Sequence, residues 1–447
     1  MMRSEYARFK RALEWYSVDP SFRKSATENP KDAFVRFGLE RAAEPVLQGI
    51  RHILNGESHM ETAQRNPYVA EFVNRNRSVS EKVAQRYQRE QYAAYGIFRY
   101  ADAVRNRCRM ESHLIRFHSN IYFSPACFEL SDGCRVQCPF CGLAAQPWTA
   151  DFPYTEENRA LWRDVIRITR ELLGPVVDYA PCYFATEPLD NPDYEAFLMD
   201  MRELSGNVPQ TTTALAEKYP ERIRALMRNL GEEELSHNAS LRISIRSLSQ
   251  FRQIMELYSA EELEYVELLP NNPESSYVYS ASGRAAQGHL NLPERKAAQY
   301  SISCCAGIRV NMVHKSISFM EPELPDAEHP LGINIRETVL FQDAETYRNS
   351  LIRLFSSYAF GILPYHVPVQ INRHVGVKSE GQIIRLEGDE ISYSIEKTPV
   401  IEAALTQLIE GVRITELIQS ANIEDKEAQK LYEMLNGLYI RGYLCLK

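Results

Sequence analysis

The 447-residue chain lacks the features that direct a protein to a membrane, to secretion or to nucleic acid. Its start, MMRSEYARFKRALEW, has no apolar run of signal-peptide or membrane-spanning length. It has no basic excess, since 51 lysines and arginines stand against 59 aspartates and glutamates, and the net charge of −8 argues against nucleic acid as the main partner. We therefore expect a cytoplasmic protein whose partners are small molecules or peptides.

The chain also lacks a disulfide framework, an internal repeat and any low-complexity tract. Its nine cysteines are an odd number, and three of them fall within eight residues, at Cys134, Cys138 and Cys141. Such crowding suits a metal better than disulfides and indicates a reducing compartment. An apolar content of 44% with 25% charged residues is ordinary for a globular protein, and the length suggests two or three domains.

The first part of the chain, residues 1–117, is predicted to be helical. Its apolar residues recur at helical spacing around breaks at Asp19-Pro20 and Pro30, which favours two or three short helices. Residues 60–117 continue as a polar, arginine-rich helical stretch, of which 78–91 serves to connect other parts. The apolar positions expected in the core are Phe9, Leu13, Trp15, Phe22, Phe34, Phe37 and Leu39.

From about Ile121 the pattern changes to an alternation of strands and amphipathic helices. At least five βα-like units predict an α/β fold, in the form of a full or partial (β/α) barrel within residues 118–345. The predicted strands are 122–130, 178–185, 210–214, 241–246 and 265–269, and the predicted helices are 156–173, 194–204, 221–229 and 249–257.

The last part, residues 346–447, is predicted to contain linker helices and, from about 381, a small winged-helix-like domain. A hairpin at 382–386 and 390–395 is followed by helices at 400–409, 414–420 and 426–438 and by a strand at 442–446. A plain capping domain and a DNA-binding winged helix are the alternatives, and the segment 402–436 is not strongly basic, which counts against DNA.

The three crowded cysteines follow the first predicted strand with the spacing C-x3-C-x2-C. Thiolates are the usual ligands of an iron–sulfur cube, and three of them leave one iron open for another ligand. A structural zinc site is the alternative. A structural zinc ion is normally held by four protein ligands, however, and no cysteine or histidine follows Cys141 at zinc-finger spacing.

This spacing, with Phe140 directly before the third cysteine, resembles the signature of the radical S-adenosylmethionine superfamily. The resemblance implies that Cys134, Cys138 and Cys141 hold a [4Fe–4S] cluster and that S-adenosyl-L-methionine binds at its open iron. It places Phe140 beside the adenine of that cofactor. It also implies an electron donor of the flavodoxin or ferredoxin type as a partner.

Further cofactor contacts are implied by the same resemblance. Residues 184–188, FATEP, stand where the superfamily has a Gly-Gly-Glu-Pro-like motif for the cofactor's amino group, so Thr186 and Glu187 are candidate contacts. Glu187 alone could equally be a helix-capping carboxylate. Ser244 and Arg246 alternate on one face of a predicted strand, where superfamily members bind the cofactor's carboxylate. A surface-exposed arginine is the alternative for Arg246.

Several stretches together resemble one subfamily, the peptide epimerases of ribosomal natural-product pathways of the proteusin type. The stretches are ELSDGC at 129–134, FPYT at 152–155, TEPLDNPDY at 186–194, PQTTTA at 209–214 and GIRVNMV at 307–313. The resemblance implies an enzyme that abstracts a Cα hydrogen from a precursor peptide and returns hydrogen from the opposite face, giving a D-residue. It also implies that the winged-helix-like domain captures the leader of the precursor as an added strand.

A cysteine thiol is the expected hydrogen donor. Cys304, followed by Cys305, is the first choice, with packing as small buried hydrophobes as the alternative. Only Cys445 follows them, which excludes a cysteine-rich auxiliary-cluster domain within this sequence. Two other functions stay open: another single-cluster peptide maturase that excises backbone or forms bonds, and a non-catalytic peptide-binding scaffold with zinc on the cysteines.

Overall fold

The computed structural model describes residues 3–55, 62–77, 124–238, 240–275, 279–287, 297–298, 303, 305–388 and 392–447. Within them the chain has a mixed α/β fold of helices packed on several sheets. Cys304 and the connecting stretch 78–91 lie outside the described residues. None of the helices within the described ranges combines the length and apolar character that crossing a lipid bilayer requires.

The N-terminal part is helical, and its breaks fall where the sequence predicts them. Asp19 accepts hydrogen bonds from the amides of Ser21 and Phe22 and so caps the helix that begins at Pro20. All seven apolar positions expected in the core are at most 8% exposed. The helices are α1 (Arg3–Val18), α2 (Pro20–Glu28), α3 (Pro30–Val35) and α4 (Ala43–Asn55), and residues 67–77 are also helical.

The middle of the chain contains two larger sheets flanked by helices. One sheet has the order β1-β9-β10-β11, in which only the β1–β9 pair is parallel, and the other is the parallel sheet β4-β5-β6. The strands are β1 (Ser124–Glu129), β4 (Thr211–Thr213), β5 (Leu241–Ile245), β6 (Glu267–Pro270), β9 (Cys305–Asn311), β10 (Ser316–Pro322) and β11 (Ile333–Leu340). Short pairs are β2 (Ser131–Asp132) with β3 (Ala150–Asp151) and β7 (Tyr279–Ser280) with β8 (Ala297–Ala298).

Three of the predicted helices of this region are confirmed within one residue at each end, and the helix predicted at 221–229 continues past a kink at Gly231 to Asn238. The predicted helix 156–173 coincides with the observed one, because Thr155 caps its start and Gly174 ends it. The helices are α5 (Glu156–Leu173), α6 (Tyr194–Ser205), α7 (Pro220–Asn238, kinked at Gly231), α8 (Leu248–Leu257), the single turn α9 (Gly283–Ala286) and α10 (Ala344–Tyr358).

The strand predicted at 178–185 is wrong. Pro175–Tyr179 form a 3-10 helix, and residues 180–187 run beside β1 without forming a strand. The amide of Phe128 donates to the carbonyl of Pro181 at 2.9 Å, but Pro181 has no amide with which to extend a ladder. The described strands therefore form open sheets and not a closed barrel.

The described chain has two large hydrophobic cores and one small buried cluster. The first joins the N-terminal helices to the middle region and extends to Phe355 in α10, whereas the sequence predicts that residues from 346 onward belong to the C-terminal part. Tyr347 of that helix lies within hydrogen-bond distance of Thr169, at 2.6 Å. The second core runs from Leu363 to Leu446.

The second core is built from two small sheets and three helices. The predicted hairpin is present as β14 and β15, and β13 adds a third, fully exposed strand with no apolar alternation to reveal it in the sequence. The elements are β12 (Pro368–Ile371), β13 (Gly376–Glu380), β14 (Ile383–Glu387), β15 (Ser392–Glu396), α11 (Pro399–Glu410), β16 (Val412–Arg413), α12 (Ile414–Ala421), α13 (Asp425–Ile440) and β17 (Leu444–Leu446). The second sheet has the order β16-β12-β17.

Candidate functional site

The three motif cysteines lie on one loop that follows β1 and β2, and all three are partly exposed and unbridged. Gly133 begins this loop with φ +75°, and a Cβ there would lie 2.2 Å from the carbonyl oxygen of Pro147. Only glycine allows the two ends of the loop to approach so closely.

Side-chain and backbone hydrogen bonds hold the loop together. The amide of Cys134 donates to Gln146 at 2.9 Å, and that of Cys141 donates to Cys138 at 3.2 Å. The Nε2 of Gln137 donates to the carbonyls of Cys134 at 2.6 Å and Ala145 at 3.1 Å. The cysteines therefore stand on a backbone with a defined conformation.

The charges that shift the cysteine pKa values indicate which groups lie within electrostatic range of the loop. The pKa of Cys138 is raised to about 12, mainly by burial and also by Cys134 and Cys141, whereas Arg246 acts to lower it. Burial also raises the pKa of Cys134, whereas backbone hydrogen bonds from Gln137 and Val136 oppose the rise. The carboxylate of Glu187 also acts to raise the pKa of both Cys134 and Cys138. The structure thus brings the cysteine loop together with two of the sequence-predicted cofactor contacts.

The chemistry of this donor set fits a soft metal group. Thiols with raised pKa values stay protonated on their own, and a bound metal cation removes their protons. Within the described ranges no three His, Cys, Asp or Glu side chains are gathered in metal-ligand geometry. The backbone amides directed at Cys134 suit a sulfur that carries negative charge.

Glu187 is buried and takes part in the local structure. Its carboxylate accepts hydrogen bonds from Thr213 Oγ1 at 2.5 Å, from the amide of Ala214 at 2.8 Å and from the amide of Leu189 at 3.2 Å. It caps the short 3-10 helix Pro188–Asp190, as the structural alternative predicts. Its Oε2 accepts one of these bonds and keeps a second acceptor position.

Burial raises the pKa of Glu187 to about 7, although the hydrogen bonds from Thr213, Ala214 and Leu189 act to lower it. The folded protein therefore holds this proton more tightly than the unfolded chain, in which glutamate titrates near about 4.3. This tighter proton binding stabilises the folded protein. The stabilisation is fully present below the pKa that Glu187 has in the unfolded chain and is lost as the pH rises through its pKa in the folded protein.

We expect the unfolding free energy of wild-type apoprotein, relative to Glu187→Gln, to fall by roughly 2–3 kcal/mol between pH 5 and pH 8. Urea denaturation at the two pH values measures this, and any cost of altered hydrogen bonds in the variant cancels between them. The exposed Glu28→Gln is the control. A pH-independent difference for Glu187→Gln would contradict the raised pKa.

Ser244 and Arg246 follow the alternation of β5, whose burial pattern puts Ser244 on the less buried face. Arg246 is not a fully exposed surface arginine, because its side chain is 31% exposed and its Nη2 donates to Glu217 Oε1 at 2.6 Å. Its Nε is buried and has no hydrogen-bond partner within the described part of the chain. Arg246 thus offers a free donor near Cys138.

The other predicted contacts lie close by in sequence. Phe140 is half-buried on the cysteine loop itself, and Thr186 is half-buried next to Glu187. The contacts of these two side chains do not identify a ligand.

Cys305 belongs to a small buried cluster against which Leu143, a residue of the cysteine loop, packs. It pairs with Ser124 at the start of β1, five residues before Glu129, which is roughly 17 Å along the strand. It is fully buried, packs with Cys127, Phe184 and Met320, and its thiol donates to the carbonyl of Ile308 at 3.4 Å. The contacts of Cys305 are those of a packed side chain, and the identity of the hydrogen donor stays a prediction.

Sequence reasoning missed a polar group at the end of β1 and β9. Glu129 is buried and accepts hydrogen bonds from the amide of Ala185 at 2.9 Å and from Asn311 Nδ2 at 3.3 Å. Arg309 Nε lies 3.8 Å from Glu129 Oε2 and is buried without a hydrogen-bond partner among the described residues. Burial raises the pKa of Glu129, and Arg309 opposes the rise. Single charges inside the apolar runs CFEL and GIRV were the available signal.

Comparisons with known proteins leave the activity open. No known protein-family profile matches the chain. The chain is similar to an uncharacterized protein, y4wI, of Sinorhizobium fredii, with 28% identity over 325 residues. That similarity covers 71% of this chain and 63% of the relative, so the chain spans less than two thirds of the relative's length.

Proposed function

We propose that this protein is a radical S-adenosylmethionine peptide epimerase, which converts L-residues of a ribosomal precursor peptide into D-residues. One observation carries the proposal. The loop with the C-x3-C-x2-C cysteines follows the first strand, and Glu187 and Arg246 lie within electrostatic reach of Cys138. The fit of these residues to the implied cofactors supports the resemblance in sequence.

The arrangement of the strands supports a partial (β/α) barrel. The stretch 180–187 runs between β1 and the parallel sheet β4-β5-β6, so these parts follow one another in space as they do in sequence. Tyr183 contacts Thr212 at 2.6 Å, and Arg242 Nε donates to Thr212 at 3.0 Å. These polar groups would line the inner face of the barrel.

Each residue has a role in holding the cofactors. Cys134, Cys138 and Cys141 would be the ligands of a [4Fe–4S] cluster, which leaves one iron for S-adenosyl-L-methionine. The free Nε of Arg246 suits the carboxylate of that cofactor, and the remaining acceptor position of Glu187 suits its ammonium group. When bound, the two cofactors would supply a carbon radical that takes hydrogen from a peptide Cα.

Phe140, Thr186 and Ser244 complete the proposed cofactor contacts. Phe140 would cover the adenine, Thr186 would assist Glu187, and Ser244 would assist Arg246. The donor of the returning hydrogen is proposed to be Cys304 or Cys305. Electrons would come from a partner of the flavodoxin or ferredoxin type.

The C-terminal unit is proposed to bind the leader of the precursor peptide. Among the described residues the sheet β13-β14-β15 has two edges, and β13 is exposed along its whole length. An edge strand with free amides and carbonyls can accept an extended peptide as a further strand. Arg336 Nη2 donates to the carbonyl of Leu446 at 3.0 Å, which links this unit to β11.

Co-expression with a precursor peptide encoded by a neighbouring gene tests the proposal. In ordinary water the peptide should contain D-residues and keep its mass. In heavy water each inverted residue should gain about one mass unit, since a thiol hydrogen exchanges with solvent before it is transferred. Chiral amino-acid analysis and intact mass spectrometry measure both results.

Other outcomes identify the alternatives. A changed peptide mass in ordinary water would indicate excision or bond formation and not epimerisation. Purified protein with zinc and no iron or sulfide would indicate a scaffold. A peptide without its leader should be a poor substrate at the same concentration if the C-terminal unit holds the leader.

A further inference from the structure

Residues 282–284 contact the backbone of the cysteine loop, although they lie far from it in sequence. The amide of Arg284 donates to the carbonyl of Cys141 at 2.9 Å, and Ser282 Oγ donates to the carbonyl of Gly142 at 2.9 Å. Gly283 has φ +56°, and a Cβ there would lie 2.4 Å from the carbonyl oxygen of Gly142. The backbone at Gly283 is in direct contact with the backbone of the cysteine loop, so this position requires glycine.

The side chain of Arg284 bridges the loop. Its Nε donates to the carbonyl of Cys138 at 2.9 Å, and its Nη1 donates to the carbonyl of Ala145 at 2.7 Å and to Gln137 Oε1 at 3.3 Å. A planar guanidinium can hold several acceptors at fixed angles, which a lysine cannot. One side chain therefore joins the middle of the loop to its end.

The third nitrogen of the same guanidinium is unused. Arg284 Nη2 is buried and has no hydrogen-bond partner in the part of the chain that the structure describes. A buried, charged donor without an acceptor is costly, so such a group indicates an acceptor that is still missing. Arg284 donates to the backbone carbonyls of Cys138 and Cys141, which places this unused donor beside the loop that carries the three thiols.

We infer that Arg284 is a positioning residue for the metal group of the cysteine loop, and that its Nη2 donates a hydrogen bond to a sulfur of that group. The inference rests on the proposed function, since it takes the group to be an iron–sulfur cluster. A cationic donor favours the reduced cluster, which carries one more negative charge. Arg284 therefore raises the reduction potential, besides holding the loop in shape.

Arg284→Ala and Arg284→Lys test the inference at two levels. In metal-free protein, hydrogen exchange of residues 134–147 should be at least about tenfold faster in Arg284→Ala, because the loop loses charge-assisted bonds to two carbonyls. In reconstituted protein, the midpoint potential from an EPR-monitored titration should shift to more negative values, in the order wild type, lysine variant, alanine variant. The lysine variant keeps the positive charge but loses the planar guanidinium, so it separates the effect of the charge from the effect of the hydrogen bonds.

Arg11 provides a matched control. It is also a partly buried arginine that donates to two backbone carbonyls, those of Met255 and Tyr258, and has an unpartnered Nε, but it lies in α1. Arg11→Lys should leave the exchange of the cysteine loop and the potential unchanged. Gly283→Ala should speed loop exchange as Arg284→Ala does, since the added methyl displaces residues 282–284 from the loop.

The possible failures are distinguishable. If wild-type protein holds a cluster and both Arg284 variants keep its potential and the loop exchange, the inference is overturned while the proposed function stands. If wild-type protein binds no iron and sulfide, the proposed function fails and the sulfur bond with it. Should Arg284→Ala not fold, the shift in Arg284→Lys decides the outcome alone.

Discussion

Alanine at Cys134, Cys138 or Cys141 should leave the protein unable to assemble a complete cluster or to cleave S-adenosyl-L-methionine. The chain supplies three thiolates to the proposed site, and the loss of one leaves two, which is too few to hold a cubic cluster with one open iron. Iron and sulfide content, EPR spectra and 5′-deoxyadenosine formation under anaerobic conditions measure the effect. We expect no detectable cofactor cleavage in any of the three variants.

The fold should survive these substitutions, which makes the result interpretable. The three side chains are partly exposed on a loop whose shape depends on backbone hydrogen bonds and on Gln137. Substitution at such positions changes the unfolding free energy of the apoprotein by about 1 kcal/mol or less. Cys445→Ala is the control, since Cys445 is also partly exposed but belongs to the second core unit. Full cluster occupancy in any of the three variants would contradict the assignment.

The second large effect is expected from the proposed hydrogen donor. Cys304→Ala should still form 5′-deoxyadenosine with label taken from the peptide, whereas the yield of D-residues and the uptake of deuterium from heavy water should fall to background. Without a thiol to return the hydrogen, the peptide radical has no partner on the opposite face. Chiral analysis of the peptide and mass analysis of 5′-deoxyadenosine measure the two halves of the reaction separately.

Cys305 should behave differently because its thiol is enclosed. It donates to the carbonyl of Ile308 and packs with Cys127 and Met320, so Cys305→Ala should cost about 1 kcal/mol of stability and leave inversion nearly intact. Loss of inversion in Cys305→Ala alone would assign the donor role to Cys305. Normal inversion in the double variant would place the donor elsewhere.

Local sequence signals were sufficient for most helices and for the hairpin. The amphipathic pattern predicts helix 156–173 with its observed ends, and its caps, Thr155 and Gly174, are neighbours of the residues that they cap. The β14–β15 hairpin was found from alternating apolar residues around a turn. These signals depend on residues that are close in sequence, and the chain carries them without reference to the fold.

The strand predicted at 178–185 failed for the opposite reason. Its apolar residues are buried, as in a strand, but pairing beside β1 is limited to the bond between Phe128 and Pro181, since Pro181 cannot donate. Apolar composition indicates that a segment is buried, but it does not show that the segment pairs as a strand.

The sequence by itself determined the helices, the C-x3-C-x2-C spacing and the types of side chain available for a metal and a cofactor. Only the tertiary structure decided how these groups are held. It brought Glu187 to Thr213 and Ala214, put Arg246 near Cys138 and placed Arg284 across the cysteine loop. Each of these contacts joins residues that are distant in the chain, and no local pattern encodes such a pairing. It follows only from how the strands and loops come together in the folded protein.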